Sequence, residues 1–278
     1  MADYKIKNIL NNNVVLVESD NQNYILVGKG IGFGNKKGAV LKDSREIEKR
    51  FISLEGLTSH KYQDFLAKVD PKIIEISQKI LAMVSAELGV ELDPKMDVGL
   101  IDHLNFLLKR LKEDIEIINP FLDETQLLYP VEFQLAEKGV KILEEELEVS
   151  IPRAEIGFLT LHIYGGRGNR SKEEALRYSK LMNQILRYVE RKLEIQIDKN
   201  SFEYRRFIMH LRGVLKRVTG NKEIKSNIVS QLEGELRVEF KLAYDISKIM
   251  ENSLKIKIPE SEIGYIALHL HKLKNRNI

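Results

Sequence analysis

The chain has 278 residues and no cysteine, which leaves room for two or three domains and excludes disulfides, thiolate metal sites and a cysteine nucleophile. Hydrophobic residues make up 43% and charged residues 31% of the sequence, a balance typical of globular proteins. The sequence shows no signal peptide and no apolar stretch near the ~18 residues of a membrane span, so we expect a cytoplasmic protein without membrane insertion. The net charge of +3 lies within residues 1–42, which carry six basic and three acidic side chains. This bias is compatible with binding to a phosphate backbone, although an ordinary solvated surface would also explain it.

Residues 4 to about 54 have the pattern of short strands joined by turns. Residues 14–17 and 24–27 are apolar, rich in β-branched side chains and flanked by Asn, Asp and Gly, which predicts two strands. Residues 11–13 are all Asn and predict a turn, because Asn tolerates left-handed backbone angles. Residues 51–54 could form a closing strand.

A glycine-rich segment, residues 28–34, follows the second predicted strand. Glycine lets a backbone approach nucleic acid closely, and the aromatic ring of Phe33 could stack on an unpaired base. Lys29, Lys36 and Lys37 could contact phosphates. A flexible hairpin loop would explain the same glycines. The glycine spacing matches neither a dinucleotide-binding motif nor a P-loop, and no amphipathic helix follows at once.

From about residue 60 the sequence has helical periodicity, and we expect the rest of the chain to be all-α. Two apolar faces recur at helical spacing: Ile73, Ile76, Ile80, Met83 and Val84 form one, and Leu104, Leu107, Leu108 and Leu111 form the other. Asp70 followed by Pro71 predicts a helix start, since Asp caps a helix and Pro suits its first position.

The strongest pattern in the sequence is an internal repeat. Residues 151–162 and 258–269 share the pattern I-P-x-x-E-I-G-aromatic-aliphatic-x-L-H, at an offset of 107 residues. The same offset aligns His103 with His210, and residues 131–136 with 238–243, without a gap. The agreement of three blocks in one register predicts a duplicated module of about 107 residues, with room for about five helices in each copy.

The Ile-Pro pair of each copy predicts the start of a helix. Glu155 and Glu262 would then lie in the first turn, where negative charge suits the helix dipole. Gly157 and Gly264 lie inside the same helix, where glycine costs about 1 kcal/mol relative to Ala. Because both copies retain a glycine that lowers helix stability, we expect another backbone to pack closely against each glycine.

Four of the six histidines occupy matched positions of the repeat: His103, His162, His210 and His269. The two histidines of each copy are 59 residues apart, and we expect them to lie close together in space. A buried, hydrogen-bonded structural role would also explain them, because duplication preserves structural residues as well as functional ones. No metal is expected, since a metal site needs more ligands, and Asp102 beside the first histidine is replaced by Met209 in the second copy.

Reversible phosphorylation suits these histidines best. Acid–base catalysis would need a nucleophile or a substrate pocket, and the sequence indicates neither, so we expect no enzyme and no cofactor. A neutral imidazole is nucleophilic at physiological pH, and a phosphoryl group adds negative charge that can remake an interface. Residues 109–110 and 216–217 are Lys-Arg pairs that could bind such an anion, although a solvated helix surface is an equal alternative.

The sequence resembles the BglG/LicT-type transcriptional antiterminators over essentially its whole length. The resemblance rests on the Asn triplet with Val14, on residues 27–34, and on the duplicated modules with two histidines each. In that family a co-antiterminator RNA-binding domain precedes two PTS-regulation domains, which respond to the sugar phosphotransferase system (PTS). Residues 119–130 are similar to the glucose-type branch.

The resemblance implies a multidomain chain with a small all-β antiparallel RNA-binding domain and two homologous all-α helical-bundle modules. We place these domains at residues 1–59, 60–171 and 172–278. The first domain would be a four-stranded sheet that forms a homodimer and binds a hairpin in nascent mRNA, which prevents terminator formation. The RNA contacts carried over by position are Asn11, Asn12, Asn13, Gly28, Lys29, Gly30, Gly32 and Phe33. Several relatives have a basic residue where this chain has Asn8, and Lys5 or Lys7 could substitute for it.

The same resemblance implies that His103, His162, His210 and His269 are phosphorylated, with the phosphocarrier protein HPr and a sugar-specific permease of the phosphotransferase system as donors. Two alternatives remain open. A DNA-binding activator with similar modules would need a helix-turn-helix segment, whereas residues 1–54 have the pattern of strands. A phosphotransfer enzyme would pass phosphate onward from these histidines to a sugar or a protein.

Overall fold

The computed structural model describes residues 3–19, 22–42, 47, 49–52, 69–93, 95–168, 170–220 and 234–274. Its contacts divide the chain into two compact units. The first unit comprises residues 1–118, 135–155 and 162–171, and the second comprises residues 119–134, 156–161 and 172–278. The predicted domain boundary between residues 59 and 60 lies outside the described residues, and the domain limits therefore stay predictions.

The N-terminal part of the first unit is a five-stranded antiparallel sheet. The strands are β1 (Asp3–Asn11), β2 (Val14–Ser19), β3 (Gln22–Val27), β4 (Val40–Lys42) and β5 (Lys49–Ile52), in the order β4-β1-β2-β3-β5. The two predicted apolar strands are therefore the neighbours β2 and β3. Of the predicted closing strand, Phe51 and Ile52 belong to β5, while residues 53 and 54 lie outside the described residues.

The sheet packs around its central strand. One face carries a core of Tyr4, Ile6, Val15, Val17, Tyr24, Leu26 and Ile31. Val14 and Leu16, which point to the opposite face of β2, are also fully buried. Burial of both faces explains why β2 is a continuous apolar run rather than an alternating one.

The expectation of four strands is wrong, because a fifth strand lies along the edge of β1. After the glycine-rich segment the chain returns to β1, where the Ile6 N–H donates to the Ala39 carbonyl at 2.7 Å and the Gly38 N–H donates to the Ile6 carbonyl at 2.8 Å. These bonds lead into the three-residue strand β4, which pairs with the start of β1. The extra strand satisfies backbone groups that an edge strand would otherwise leave open.

The rest of the described chain is helical, as the periodicity predicts. Its helices are α1 (Pro71–Leu88), α2 (Lys95–Lys112), α3 (Leu122–Leu128), α4 (Pro130–Leu147), α5 (Ala154–Gly165), α6 (Lys172–Leu193), α7 (Phe202–Thr219), α8 (Arg237–Leu254) and α9 (Glu260–Lys274). Among the described helices, none combines the length and the apolar composition that a membrane crossing requires.

The bounds of the helices reproduce the repeat. An offset of 107 residues carries both ends of α2 onto α7 and both ends of α4 onto α8. It also places α5 within α9. The segment that would match α3 in the second copy lies mostly outside the described residues. The described part of the first copy contains five helices, the number expected for each module.

The predicted start of α1 is confirmed in detail. Asp70 Oδ1 accepts a hydrogen bond from the Lys72 N–H at 2.9 Å, and Pro71 opens the helix. The helix ends at Gly89, whose φ of 63° is the left-handed conformation that favours glycine. Of its predicted apolar face, Met83 alone is only partly buried.

The prediction of a neighbouring backbone at Gly157 is wrong. A Cβ atom there would overlap Nδ2 of Asn119 and lie 2.8 Å from Cδ1 of Leu122, so the close neighbours are side chains. Gly157 thus makes room for the segment that leads into α3.

Candidate functional site

The predicted RNA contacts come together at one end of the sheet. The turn between β1 and β2, at Asn12 and Asn13, packs against the glycine-rich segment, residues 28–34. The Gly28 N–H donates to the Asn13 carbonyl, and the Gly32 N–H donates to the Asn12 carbonyl, both at 2.9 Å. The Asn13 side-chain oxygen accepts the Gly30 N–H at 2.8 Å. Two segments that are distant in sequence therefore form one surface, and Asn13 has a structural role within it.

The outward side of this surface can contact a ligand. Phe33 has 74% of its area exposed, although large aromatic side chains are usually buried. Lys29 and Gly30 are also exposed, while Ile31 between them and Phe33 is buried in the sheet core. Gly30 has a φ of 73°, which side chains rarely adopt. Asn11 ends β1 beside this turn.

A buried carboxylate lies against one histidine of the first pair. The rings of His103 on α2 and His162 on α5 lie 4.9 Å apart between centroids and are tilted by 34°. Glu155, whose side chain is 1% exposed, places Oε2 2.8 Å from Nε2 of His103. Its other oxygen, Oε1, accepts a hydrogen bond from Nη2 of Arg110 at 3.0 Å. One carboxylate thus links a histidine and an arginine that lie two turns apart on α2.

The second histidine pair is stacked rather than tilted. The rings of His210 on α7 and His269 on α9 lie 3.4 Å apart between centroids, with an interplanar angle of 21°. Glu262, equivalent to Glu155, forms two bonds with Arg217: Nε to Oε1 at 2.6 Å and Nη2 to Oε2 at 2.8 Å. Two guanidinium nitrogens each donate to one carboxylate oxygen, and such bidentate pairs are among the strong charge-assisted hydrogen bonds.

The second pair is uncharged at neutral pH. The pKa of His269 is lowered to about 3, mainly by burial and secondly by the His210 ring beside it. Burial also lowers the pKa of His210, and the positive charges of Arg206 and Lys272 act on both rings in the same direction. A neutral imidazole keeps a lone pair on one ring nitrogen, which a nucleophile needs.

The expectation that the histidines of each pair lie close together is confirmed by these distances. His271, two residues after His269, points elsewhere, with Nδ1 3.5 Å from Oε1 of Glu239. Within the described ranges, no group of three His, Cys, Asp or Glu side chains could hold a metal ion.

Comparisons with known proteins match both the N-terminal sheet and the two helical copies. The family described as CAT RNA binding domain matches residues 4–56, and the family described as PRD domain matches residues 78–166 and 183–273. The chain is 32% identical over 274 residues to "Protein GlcT" of Staphylococcus saprophyticus, with 98% of this chain and 97% of that relative covered.

The chain belongs to the family of antiterminators that join a CAT RNA-binding domain to PRD domains. It is also 31% identical over 283 residues to the "GlcA/glcB genes antiterminator" of Staphylococcus carnosus, with 100% of this chain and 98% of that relative covered. The solved structure "Crystal structure of GlcT CAT-PRDI" is 34% identical, with a TM-score of 0.54, and covers 60% of this chain and 99% of its own. The resemblance to the glucose-type branch is thereby confirmed.

The ion pair between a buried glutamate and an arginine in each copy of this antiterminator was not predicted from the sequence. We expected Glu155 and Glu262 to interact with helix dipoles and the Lys-Arg pairs to be anion partners or surface. In the structure the arginines are engaged by the glutamates, while Lys109 and Lys216 are exposed. A signal was available: both the glutamate and the arginine recur at the offset of 107, separated by 45 residues in each copy.

Proposed function

We propose that the chain binds a hairpin in nascent mRNA and so prevents formation of an overlapping transcription terminator. The observation that carries the proposal is the surface formed by the Asn12–Asn13 turn and the glycine-rich segment, with Phe33 exposed on it. An unpaired base can stack on such a ring, while backbone atoms at Gly30 and the Lys29 ammonium reach the neighbouring nucleotides.

The proposal includes control by phosphorylation. His103, His162, His210 and His269 accept phosphoryl groups, with HPr and a sugar-specific permease as donors. Support comes from the matched pairs, from the neutral state of the second pair, and from membership in a family with PRD domains. The donors perform the transfer, so the chain itself is not an enzyme.

The proposal also includes a homodimer that binds RNA through its N-terminal sheets. In a two-fold dimer the interface contains the same surface patch of both copies. A charge added to each chain is therefore present twice at that interface. Sedimentation of the full chain with and without RNA tests this part.

A binding comparison tests RNA recognition. The full chain is titrated with an RNA hairpin from the leader of its own operon, and with duplex DNA of the same sequence. We expect the RNA hairpin to bind at least tenfold more tightly at physiological salt, and the preference to persist as salt is raised. Equal affinity for both nucleic acids would indicate a non-specific charge effect and overturn the proposal.

A further inference from the structure

The two histidine pairs differ at two matched positions beside the rings. The offset of 107 pairs Gly99 with Arg206, and Gly165 with Lys272. The first pair therefore has glycine where the second pair has a cation. The two copies share the same helix bounds at α2 and α7, so the first of these matches also holds in the structure.

Because Gly99 and Arg206 occupy matched positions, the surroundings of Gly99 indicate where the side chain of Arg206 starts. A Cβ atom at Gly99 would lie 3.6 Å from Nδ1 of His162, the inner histidine of the first pair. The matched position in the second copy, Arg206, is four residues before His210 on α7, and residues at this spacing share a helix face.

Lys272 approaches the pair from the other helix. It lies three residues after His269 on α9, again on a shared face. Neither Arg206 nor Lys272 is paired with a carboxylate in the part of the chain that the structure describes. Arg217, by contrast, is committed to Glu262 through both of its bonds.

The first pair has a carboxylate in direct contact with one of its rings and no cation at the two matched positions. There Oε2 of Glu155 lies 2.8 Å from Nε2 of His103. A phosphoryl group on that nitrogen would have to displace a buried carboxylate of like charge. A phosphoryl group on the second pair would instead meet two cations that have no carboxylate partner among the described residues.

We propose that Arg206 and Lys272 make the second histidine pair an anion site that binds and retains a phosphoryl group, which the first pair lacks. This inference deepens the proposed function and rests on it for the source of the phosphoryl group. Arg206 and Lys272 are positioning residues, since the bond to phosphorus forms on a histidine.

The transfer step is balanced without another reactant. The lone pair of an unprotonated ring nitrogen forms the new bond to phosphorus, while the bond from phosphorus to the donor histidine breaks and returns its electron pair to the donor. Each ring keeps the proton on its other nitrogen. The two cations then neutralise the negative charge that arrives with the phosphoryl oxygens.

Inorganic phosphate is the direct probe of this site. The full chain is titrated with phosphate while the histidine C2 proton signals are followed by NMR, each assigned with a single His→Gln variant. We expect the signals of His210 and His269 to shift at phosphate concentrations at least tenfold below those that move His103 and His162. Equal responses of both pairs would overturn the inference. So would a response of the second pair that indicates an adventitious ion only.

Three double variants separate binding from folding. Replacement of both cations by Ala (Arg206→Ala with Lys272→Ala) should weaken phosphate binding at least tenfold. The exchange Arg206→Lys with Lys272→Arg should keep it, because it keeps both charges. The matched control, Arg205→Ala with Lys216→Ala, removes two exposed cations of α7 and should leave the response unchanged. An unchanged response of the first double variant contradicts the inference.

Phosphorylated protein supplies the second readout. After incubation with phospho-HPr, loss of phosphate from the second pair should be several times faster in Arg206→Ala with Lys272→Ala than in the unaltered chain. If phospho-HPr phosphorylates no histidine of the chain while phosphate still binds the second pair, the proposed function fails and the anion site stands. If transfer occurs and the loss rates are equal, the inference fails and the proposed function stands.

Discussion

Each module has one buried glutamate at the matched position near its histidine pair, and the two glutamates have different partners. Glu155 is shared between His103 and Arg110, whereas Glu262 is bound twice by Arg217. Each carboxylate is 1% exposed, and a buried charge of this kind is costly unless it is paired. The same motif position thus anchors two different local arrangements.

Glu155→Gln should lower the stability of the first module. The amide keeps the shape but loses the charge, so Arg110 loses its ionic partner at a buried site. We expect a loss of about 1–3 kcal/mol, measured by urea unfolding. Glu137→Gln is the matched control, because Glu137 is exposed on α4 and should change little. Equal stability of the two variants would mean that the link between His103 and Arg110 contributes nothing.

The stability of the second module should depend on pH through His269. Its pKa is about 3 in the folded chain, against 6.5 for an ordinary histidine. The unfolded chain therefore binds more protons between these values, so stability is fully present above about pH 6.5 and is lost as the pH falls towards 3. One such group contributes a slope of about 1.4 kcal/mol per pH unit at most.

The comparison that isolates this effect is His269→Gln. Urea unfolding of both proteins between about pH 7.5 and about pH 5 should show a shallower slope for the variant, since it has no proton to take up. Identical slopes would contradict the low pKa of the buried ring.

Two short turns support each other at the end of the sheet where we propose that RNA binds. The turn at Asn12 and Asn13 accepts three hydrogen bonds from the glycine-rich segment, and Ile31 fixes that segment in the core. The loop is therefore held in one shape before RNA arrives, which lowers the entropy cost of binding. Phe33 remains on its outer side.

Phe33→Ala should weaken binding of the RNA hairpin by roughly 1–3 kcal/mol, the usual loss for one stacked base. Fluorescence anisotropy with a labelled hairpin measures the affinity. Phe202→Ala removes a comparably exposed aromatic ring, at 66% exposure on α7, and should leave affinity unchanged. Unaltered binding by Phe33→Ala would remove this ring from the site.

Gly157→Ala should destabilise the chain although Ala favours helices. The added methyl group would meet the side chains of Asn119 and Leu122, and this crowding should outweigh the gain of about 1 kcal/mol in helix propensity. Gly99→Ala is the control, because its Cβ would make only an ordinary contact of 3.6 Å with His162. Thermal melting distinguishes the two, and a higher Tm for Gly157→Ala than for Gly99→Ala would be contrary to this account.

The elements that repeat in the sequence are the ones that sequence alone predicts well. The offset of 107 predicts the histidine pairs, and the helix periodicity predicts α1 and α2. Strand β4 was missed because three residues carry no periodicity, and its pairing with β1 depends on how the preceding loop folds back. The neighbours of Gly157 were missed for a similar reason, since only tertiary packing brings Asn119 there.

On the scale of the whole molecule, one chain combines an RNA-binding sheet with two histidine pairs of unlike surroundings. The first pair is in contact with a carboxylate, whereas the positive charges of Arg206 and Lys272 act on the second. A phosphoryl group would therefore disturb the first pair and be accommodated at the second. The net charge of the chain is +3, so each added phosphoryl group changes it substantially.

The central claim is that phosphorylation of these histidines controls RNA binding. The most direct measurement incubates the full chain with HPr and its phosphoryl donor, maps acid-labile phosphate by mass spectrometry, and measures affinity for the RNA hairpin in the same samples. The His→Ala variants of His103, His162, His210 and His269 are compared with His271→Ala, a histidine outside both pairs. We predict phosphate on the paired histidines, a changed RNA affinity on phosphorylation, and loss of that change in the paired variants but not in His271→Ala. Phosphate found only elsewhere, or an RNA affinity that phosphorylation leaves unaltered in every protein, would contradict the account.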